Sequence, residues 1–323
     1  MKPGLALAIL LLAALPAAAQ TTAPDAAAPG PAPQAAPVPG APDDKPRPPL
    51  DLAYGAFQRG LYLTAFNEAS KRVAADPTDG AAMTLIGELY ANGFGVRQDW
   101  AKAGDWYRLA VQRGDPHAAF ALGMMTLDGR GVTKDAAAGR RLLESAADAV
   151  PAAAYNLALL LLEARRPESD RRAAELMRRA ADAGEIDAQY ALAVLYRQGK
   201  GVIRDPVEGA IWMARAAASR NAAAEVEYGI MLFNGEGVIR NEVGAAAFFL
   251  RAAEKGNPVA QNRLARLHAA GRGVPRDLVE AAKWHAIAGS RGVKDPWLDE
   301  TVKELSPAER ARADEAARRW LGD

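Results

Sequence analysis

The sequence predicts an all-α fold: a right-handed α-solenoid (superhelix) of stacked antiparallel helix hairpins, with N- and C-terminal capping helices. Two observations carry that expectation. The run G-x-G-V recurs at 93–96, 129–132, 199–202, 235–238 and 271–274, at spacings of 36, 70, 36 and 36 residues. Between the runs, small and apolar residues fall three or four apart, the period of a buried helix face. A fixed period of this length marks supersecondary units that complete one another's core. The interval of 70 holds two units, one of which has lost its glycines: Ala153, Tyr155, Leu157 and Ala158 continue the columns of Ala118, Phe120, Leu122 and Gly123.

In chain order, residues 1–19 read as a secretory signal peptide. Lys2 supplies the positive start, positions 5–15 an apolar run, and Ala17, Ala18 and Ala19 a small-residue cleavage site. Cleavage is expected between Ala19 and Gln20, which makes the mature protein periplasmic. The apolar run is about half the roughly 20 residues of a spanning helix, so no stable membrane insertion is expected after cleavage. Residues 20–49 are expected to be a disordered Pro/Ala-rich linker, because ten of the 29 residues from 21 to 49 are proline. The solenoid is expected over 50–323, with a capping hairpin at 50–78, six repeats at 81–292 and a C-terminal cap at 294–323.

One repeat shows the chemistry of all. Ala82, Ile86, Leu89 and Tyr90 share one helical stripe, and Ala103, Trp106, Tyr107 and Ala110 form a second after the glycines. Gly93 suits the left-handed residue that ends the first helix, and Asp99 suits the N-cap of the second. Asp205, Pro206 and Glu208 repeat that start, as do Asp277 and Glu280. A small residue recurs at one first-helix position, as Gly87, Gly123, Ala158, Ala193, Gly229 and Ala265, and permits close helix approach. After the last repeat, the segment 296–303 and the one following Ser306, Pro307, Ala308 and Glu309 read as capping helices, with Trp297 and Trp320 to cover the final hairpin.

These residues resemble the Sel1-like repeat, a relative of the tetratricopeptide repeat. Copy one carries the pattern as Ala82, Ile86, Gly87, Tyr90, Gly93, Gly95, Val96, Asp99, Lys102, Ala103, Trp106, Tyr107 and Ala110. The resemblance implies a binding scaffold, either in envelope complexes or as a partner of periplasmic sensors that control exopolysaccharide production. It also implies the alternative of a scaffold for cell-wall or polysaccharide assembly, with glycan contact. A further alternative it implies is a β-lactam- or peptidoglycan-acting protein, as cysteine-rich relatives are associated with binding or hydrolysing β-lactams, although those pair a Cys in each repeat and this chain has none.

Composition narrows the function further. Lys and Arg number 40 against 39 Asp and Glu, and loss of Lys2 with the signal leaves 39 of each. Nucleic-acid binding through phosphate neutralisation needs a basic excess, so no nucleic-acid partner is expected. Without cysteine there are no disulfides or thiolate metal sites. The three histidines, His117, His268 and His285, fall in repeat columns that other copies fill with Ala or Tyr. No nucleophile elbow, metal-spaced pair or phosphate loop is present, and the G-x-G-V run follows a helix where a dinucleotide fingerprint requires a strand. No catalytic, cofactor or metal residues are assigned, and the protein is expected not to be an enzyme. Arg171, Arg172, Arg178 and Arg179 share a face of one second helix, which suits either an acidic partner or a solvated surface of intrahelical ion pairs. Glu175, four residues from both Arg171 and Arg179, predicts intrahelical pairs there.

The candidate site lies on the first helices, opposite the stripe that packs within each hairpin. There the copies of one position read Thr84, Phe120, Tyr155, Tyr190, Val226 and Asn262, and those four residues on read Glu88, Met124, Leu159, Val194, Ile230 and Arg266. A solvated helix face would be polar at both positions. In tetratricopeptide-like folds these positions line the concave groove, so the resemblance implies a partner-binding groove of Phe120, Met124, Tyr155, Leu159, Tyr190, Val194, Val226, Ile230, Asn262 and Arg266 that takes a protein or peptide segment. A second arrangement satisfies the same pattern: tight curvature that packs the stripe onto neighbouring first helices.

Overall fold

The computed structural model describes residues 51–322, so the expected signal and linker lie outside the described residues. Every regular element among the described residues is helical. Helices α1 (Leu52–Gln58) and α2 (Tyr62–Ala75) form the first hairpin. Six hairpins follow: α3 (Gly80–Asn92) with α4 (Trp100–Gln112), α5 (Pro116–Asp128) with α6 (Ala136–Ala146), α7 (Pro151–Glu163) with α8 (Pro167–Asp182), α9 (Ile186–Gln198) with α10 (Pro206–Ala218), α11 (Ala222–Asn234) with α12 (Glu242–Glu254), and α13 (Pro258–Ala270) with α14 (Leu278–Ser290). The chain closes with α15 (Pro296–Thr301), a 3-10 turn (Val302–Glu304) and α16 (Pro307–Leu321). The helices stack in sequence order as an α-solenoid: from α1 to α14 each packs on the next, and α16 returns past the short α15 to pack on α14.

Side-chain caps fix the register of the helices. Asp79, Asp115, Asn221 and Asn257 accept the N–H three residues on at the start of first helices, and Asp99, Asp135 and Asn241 do so at second helices. Each such cap stabilises its helix by about 1 kcal/mol. Asp205 and Asp277 each accept two N–H groups, but Glu280 turns to Lys283 at 2.6 Å and does not close a box. Only Ser306 and Glu309 form a reciprocal capping box among the described helices. The third repeat departs from the scheme at its entry and at its inner turn. Neither Val150 nor Arg166 makes a side-chain cap, and Arg165 (φ 52°) takes the left-handed turn that glycine takes elsewhere.

The two glycines of the G-x-G turn do different work. The first is the left-handed cap of the first helix, with Gly93, Gly129, Gly199, Gly235 and Gly271 at φ between 66° and 76°. The second is where one repeat meets the last. A Cβ on Gly237 would lie 2.0 Å from the Pro206 carbonyl oxygen in the first turn of α10. Gly95, Gly131, Gly201 and Gly273 abut Leu63, Trp100, Asp170 and Glu242 in the same way. The residue between the glycines also reaches back. Phe94 stacks on Tyr62 at 4.5 Å, Arg130 lies 4.9 Å over Trp100, and Lys200 reaches Asp170 at 3.6 Å. Glu236 meets Arg197 at 3.0 Å and Arg272 meets Glu242 at 2.6 Å. Trp100, at the start of α4, is thus the seat of the next repeat's turn.

The interior is built mostly of alanine, leucine and methionine along facing stripes, and half-buried residues such as Tyr90, Trp106, Leu142 and Tyr228 join its neighbouring sections. Tyr107 fits because position 87 is glycine: a Cβ there would lie 2.6 Å from the tyrosine ring. Gly229 leaves the same slot for Phe249. Two expectations at the surface are corrected. Trp320 covers the last hairpin by packing on Trp284 at 6.0 Å, whereas Trp297 is 44% exposed, because the short α15 turns it outward. Glu175 pairs with Arg172, not with Arg171 or Arg179. Arg179 reaches Asp148, and Arg178 bonds the Tyr196 hydroxyl and packs over Trp212.

Candidate functional site

The leftover stripe of the first helices is neither a solvated face nor a sealed core. Phe120, Met124, Tyr155, Leu159, Tyr190 and Val194 are half-buried against the central interior, and Ile230 is half-buried against the C-terminal section. Val226 is buried and presents nothing to a partner. The side chains lean on neighbouring helices and keep part of their surface in water.

The tyrosines carry the polar chemistry of the stripe. The Tyr107 hydroxyl, on a second helix, donates to Glu88 at 3.1 Å, and Tyr196 accepts from Arg178. The phenols of Tyr155 and Tyr190 make no hydrogen bond to another described residue. Burial first, then the nearby carboxylates of Asp187 and Glu185, raises the Tyr155 phenol above its ordinary pKa. Burial and Glu227 raise that of Tyr190. Both therefore stay protonated at neutral pH, and each offers an unused donor beside an apolar surface. Burial also raises Glu185, with the Asp187 charge adding to it. Arg197 ties α9 to α11 through Glu227 at 3.0 Å.

At the C-terminal end the stripe turns polar. Asn262 and Arg266 are both engaged by Asp295, which is 4% exposed. Arg266 donates through Nε at 2.6 Å and Nη2 at 2.9 Å, and Asn262 donates at 2.8 Å. The same carboxylate caps α15 through the Leu298 N–H. The Arg266 guanidinium holds Asp295 well below the usual carboxylate range, with desolvation opposing it. Sequence reasoning placed Asn262 and Arg266 in the groove but missed Asp295, which lies 29 residues beyond Arg266. Its one signal was the Asp-Pro pair that starts a helix.

Among the described residues no catalytic constellation stands out. His285 contacts Asp299 at 2.7 Å and His117 is exposed. Among the described residues no group of three or more His, Cys, Asp or Glu side chains is arranged to hold a metal. A cavity of about 560 Å3 beside Tyr90 and Lys102 includes Asp99, whose carboxylate is already committed to capping α4. No helix among the described residues is long and apolar enough to cross a membrane.

A protein-family model described as Sel1 repeat matches residues 80–115, 116–149, 151–185, 186–221, 222–257 and 258–293. The chain belongs to the Sel1-repeat family. Among the solved structures that resemble this Sel1-repeat protein are two bacterial ones. One is c5321, a protective antigen present in uropathogenic Escherichia coli strains displaying an SLR fold, at 26% identity and a TM-score of 0.54 over 81% of this chain and 64% of that one. This chain thus spans less than two thirds of the antigen's length. The other is a Sel1 repeat protein from Oxalobacter formigenes, at 22% identity and a TM-score of 0.61 over 75% of this chain and 97% of that one. A search of curated proteins finds no match.

Proposed function

We propose that this Sel1-repeat protein is a non-enzymatic periplasmic adaptor that binds a protein segment along the stripe of its first helices. The observation that carries the reading is the pair Tyr155 and Tyr190, half-buried with unengaged hydroxyls on an apolar strip that runs from Phe120 to Ile230. A groove of this composition suits an amphipathic or extended segment, with the phenols fixing its register. The periplasmic address rests on residues 1–19, and recovery of a mature N-terminus near Gln20 in the periplasmic fraction tests it.

A photo-crosslinking residue at Tyr190 in cells tests the binding reading. We expect one adduct that an equivalent probe at Ala218, on a second helix, does not give. Tyr155→Ala with Tyr190→Ala should lose that partner while helical circular dichroism and melting change little. Equal adducts at both positions, or retention of the partner by the double variant, would refute the groove. A large fall in melting temperature would assign the tyrosines to the core.

A further inference from the structure

The stripe ends in a cavity of about 400 Å3 between α13 and the turn into α15, lined by Val259, Asn262, Arg263, Arg266, Lys294 and Asp295 among others. Three cations line it against one carboxylate. Asp295 is fully engaged by Arg266, Asn262 and the Leu298 N–H. Arg263 and Lys294 are exposed and pair with no described residue, so the lining carries two uncompensated positive charges. Val259, 48% exposed, and Val293 give it an apolar wall. Along the stripe the charge reverses: the carboxylates Glu185 and Asp187 lie beside Tyr155, Glu227 beside Tyr190 is paired with Arg197, and unpaired cations gather at the cap.

We propose that this cavity seats Asp or Glu side chains of the partner segment, so that the stripe takes a segment apolar in its middle and acidic at the end nearest the C-terminal cap. This rests on the groove reading above. The physical basis is charge complementarity. The Asp295 clamp holds Arg266 and the helix start in place, leaving Arg263 and Lys294 to meet incoming carboxylates without displacing an existing ion pair. Such contacts fix orientation and weaken as salt rises.

The probe is N-acetyl-Glu-Glu-amide, titrated into the mature full chain while the Trp297 indole resonance is followed, since Arg266 lies 5.1 Å over that ring. A saturable shift with a millimolar Kd is expected, weakened at least tenfold in Arg263→Gln/Lys294→Gln. N-acetyl-Lys-Lys-amide should give no shift. The proposal falls if the acidic dipeptide gives no saturable shift, or if the double variant binds it equally. It also falls if only N-acetyl-Ala-Ala with a free carboxylate saturates, which would assign the cavity to a chain terminus. Neither variant residue has a side-chain partner, and an unchanged melting curve checks the fold. If the tyrosine variant loses the crosslinked partner while the Arg263/Lys294 variant binds it unchanged, the cavity fails alone. Retention of the partner by the tyrosine variant fails the groove, and the dipeptide titration then judges the cavity separately.

Discussion

At Arg220 the backbone takes φ 63°, in a turn where Gly114, Gly184, Gly256 and Gly292 take 80° to 92°. A side chain in the left-handed region costs roughly 1–2 kcal/mol, and glycine loses part of that advantage through its freer unfolded state. Arg220→Gly should therefore stabilise the protein by about 0.5–1 kcal/mol, read as a higher urea midpoint at unchanged slope. A lower midpoint would show that the arginine's own contacts outweigh the strain. The same scale shows where sequence reading stops. Tyr107 and Tyr155 are both aromatic residues on apolar stripes, and the small residue at position 87 announces the slot that buries the first. Nothing local announces that Glu88 takes the Tyr107 hydroxyl while that of Tyr155 stays unengaged, because that depends on which helix ends stand opposite each ring.

Between elements, the G-x-G turn is both a helix stop and a coupling between repeats, and the two glycines separate these roles. At Gly235 a Cβ would sit at ordinary contact distance, 3.5 Å from Arg240. Gly235→Ala should cost only the left-handed strain, about 1 kcal/mol. At Gly237 the new carbon would strike the backbone of α10. Gly237→Ala should cost about 3 kcal/mol or more, since backbone must move. Equal losses in chemical denaturation would mean that the turn does not couple the repeats. The spacing made the first glycine legible as a cap. The second was read only as part of a turn, because its reason lies a whole repeat earlier in the chain. The middle residue adds an acid-sensitive contact. Arg272 first, then Arg240, holds the Glu242 carboxyl down to about 2. Its unfolded value is about 4.3, so the contribution is complete above that pH and is lost as pH falls from about 4.3 towards 2. Arg272→Gln removes the main cause. The stability gap between parent and variant should stay constant from pH 7 to 5 and narrow below about 4, and a gap unchanged at pH 3 would assign the pairing no role.

For the whole molecule, stacking in one dimension means that each hairpin depends on its neighbours and on little else. The hairpins, their number and their caps were legible because they repeat. The closing segment was half legible because it occurs once: Trp320 and Trp297 looked alike, yet only Trp320 covers Trp284. Removing residues 294–323 tests this dependence. The deletion takes away Trp320, Ala317 and Leu298 from the C-terminal interior, together with the Asp295 clamp on α13. It leaves Trp284 and Ile287 of α14 without their cover. In a solenoid the damage should decay with distance, since α3 to α6 share no core with the lost segment. Hydrogen exchange should show lost protection in α13 and α14, a smaller loss in α11 and α12, and unchanged protection in α3 to α6. The truncated chain should also self-associate, because it ends in an open apolar face that the intact protein closes with α16. Uniform loss of protection across all repeats would mean that the molecule folds as one cooperative block. In that case the cap would stabilise the entire stack, and partner binding at the central tyrosines would be sensitive to changes at the C-terminal end.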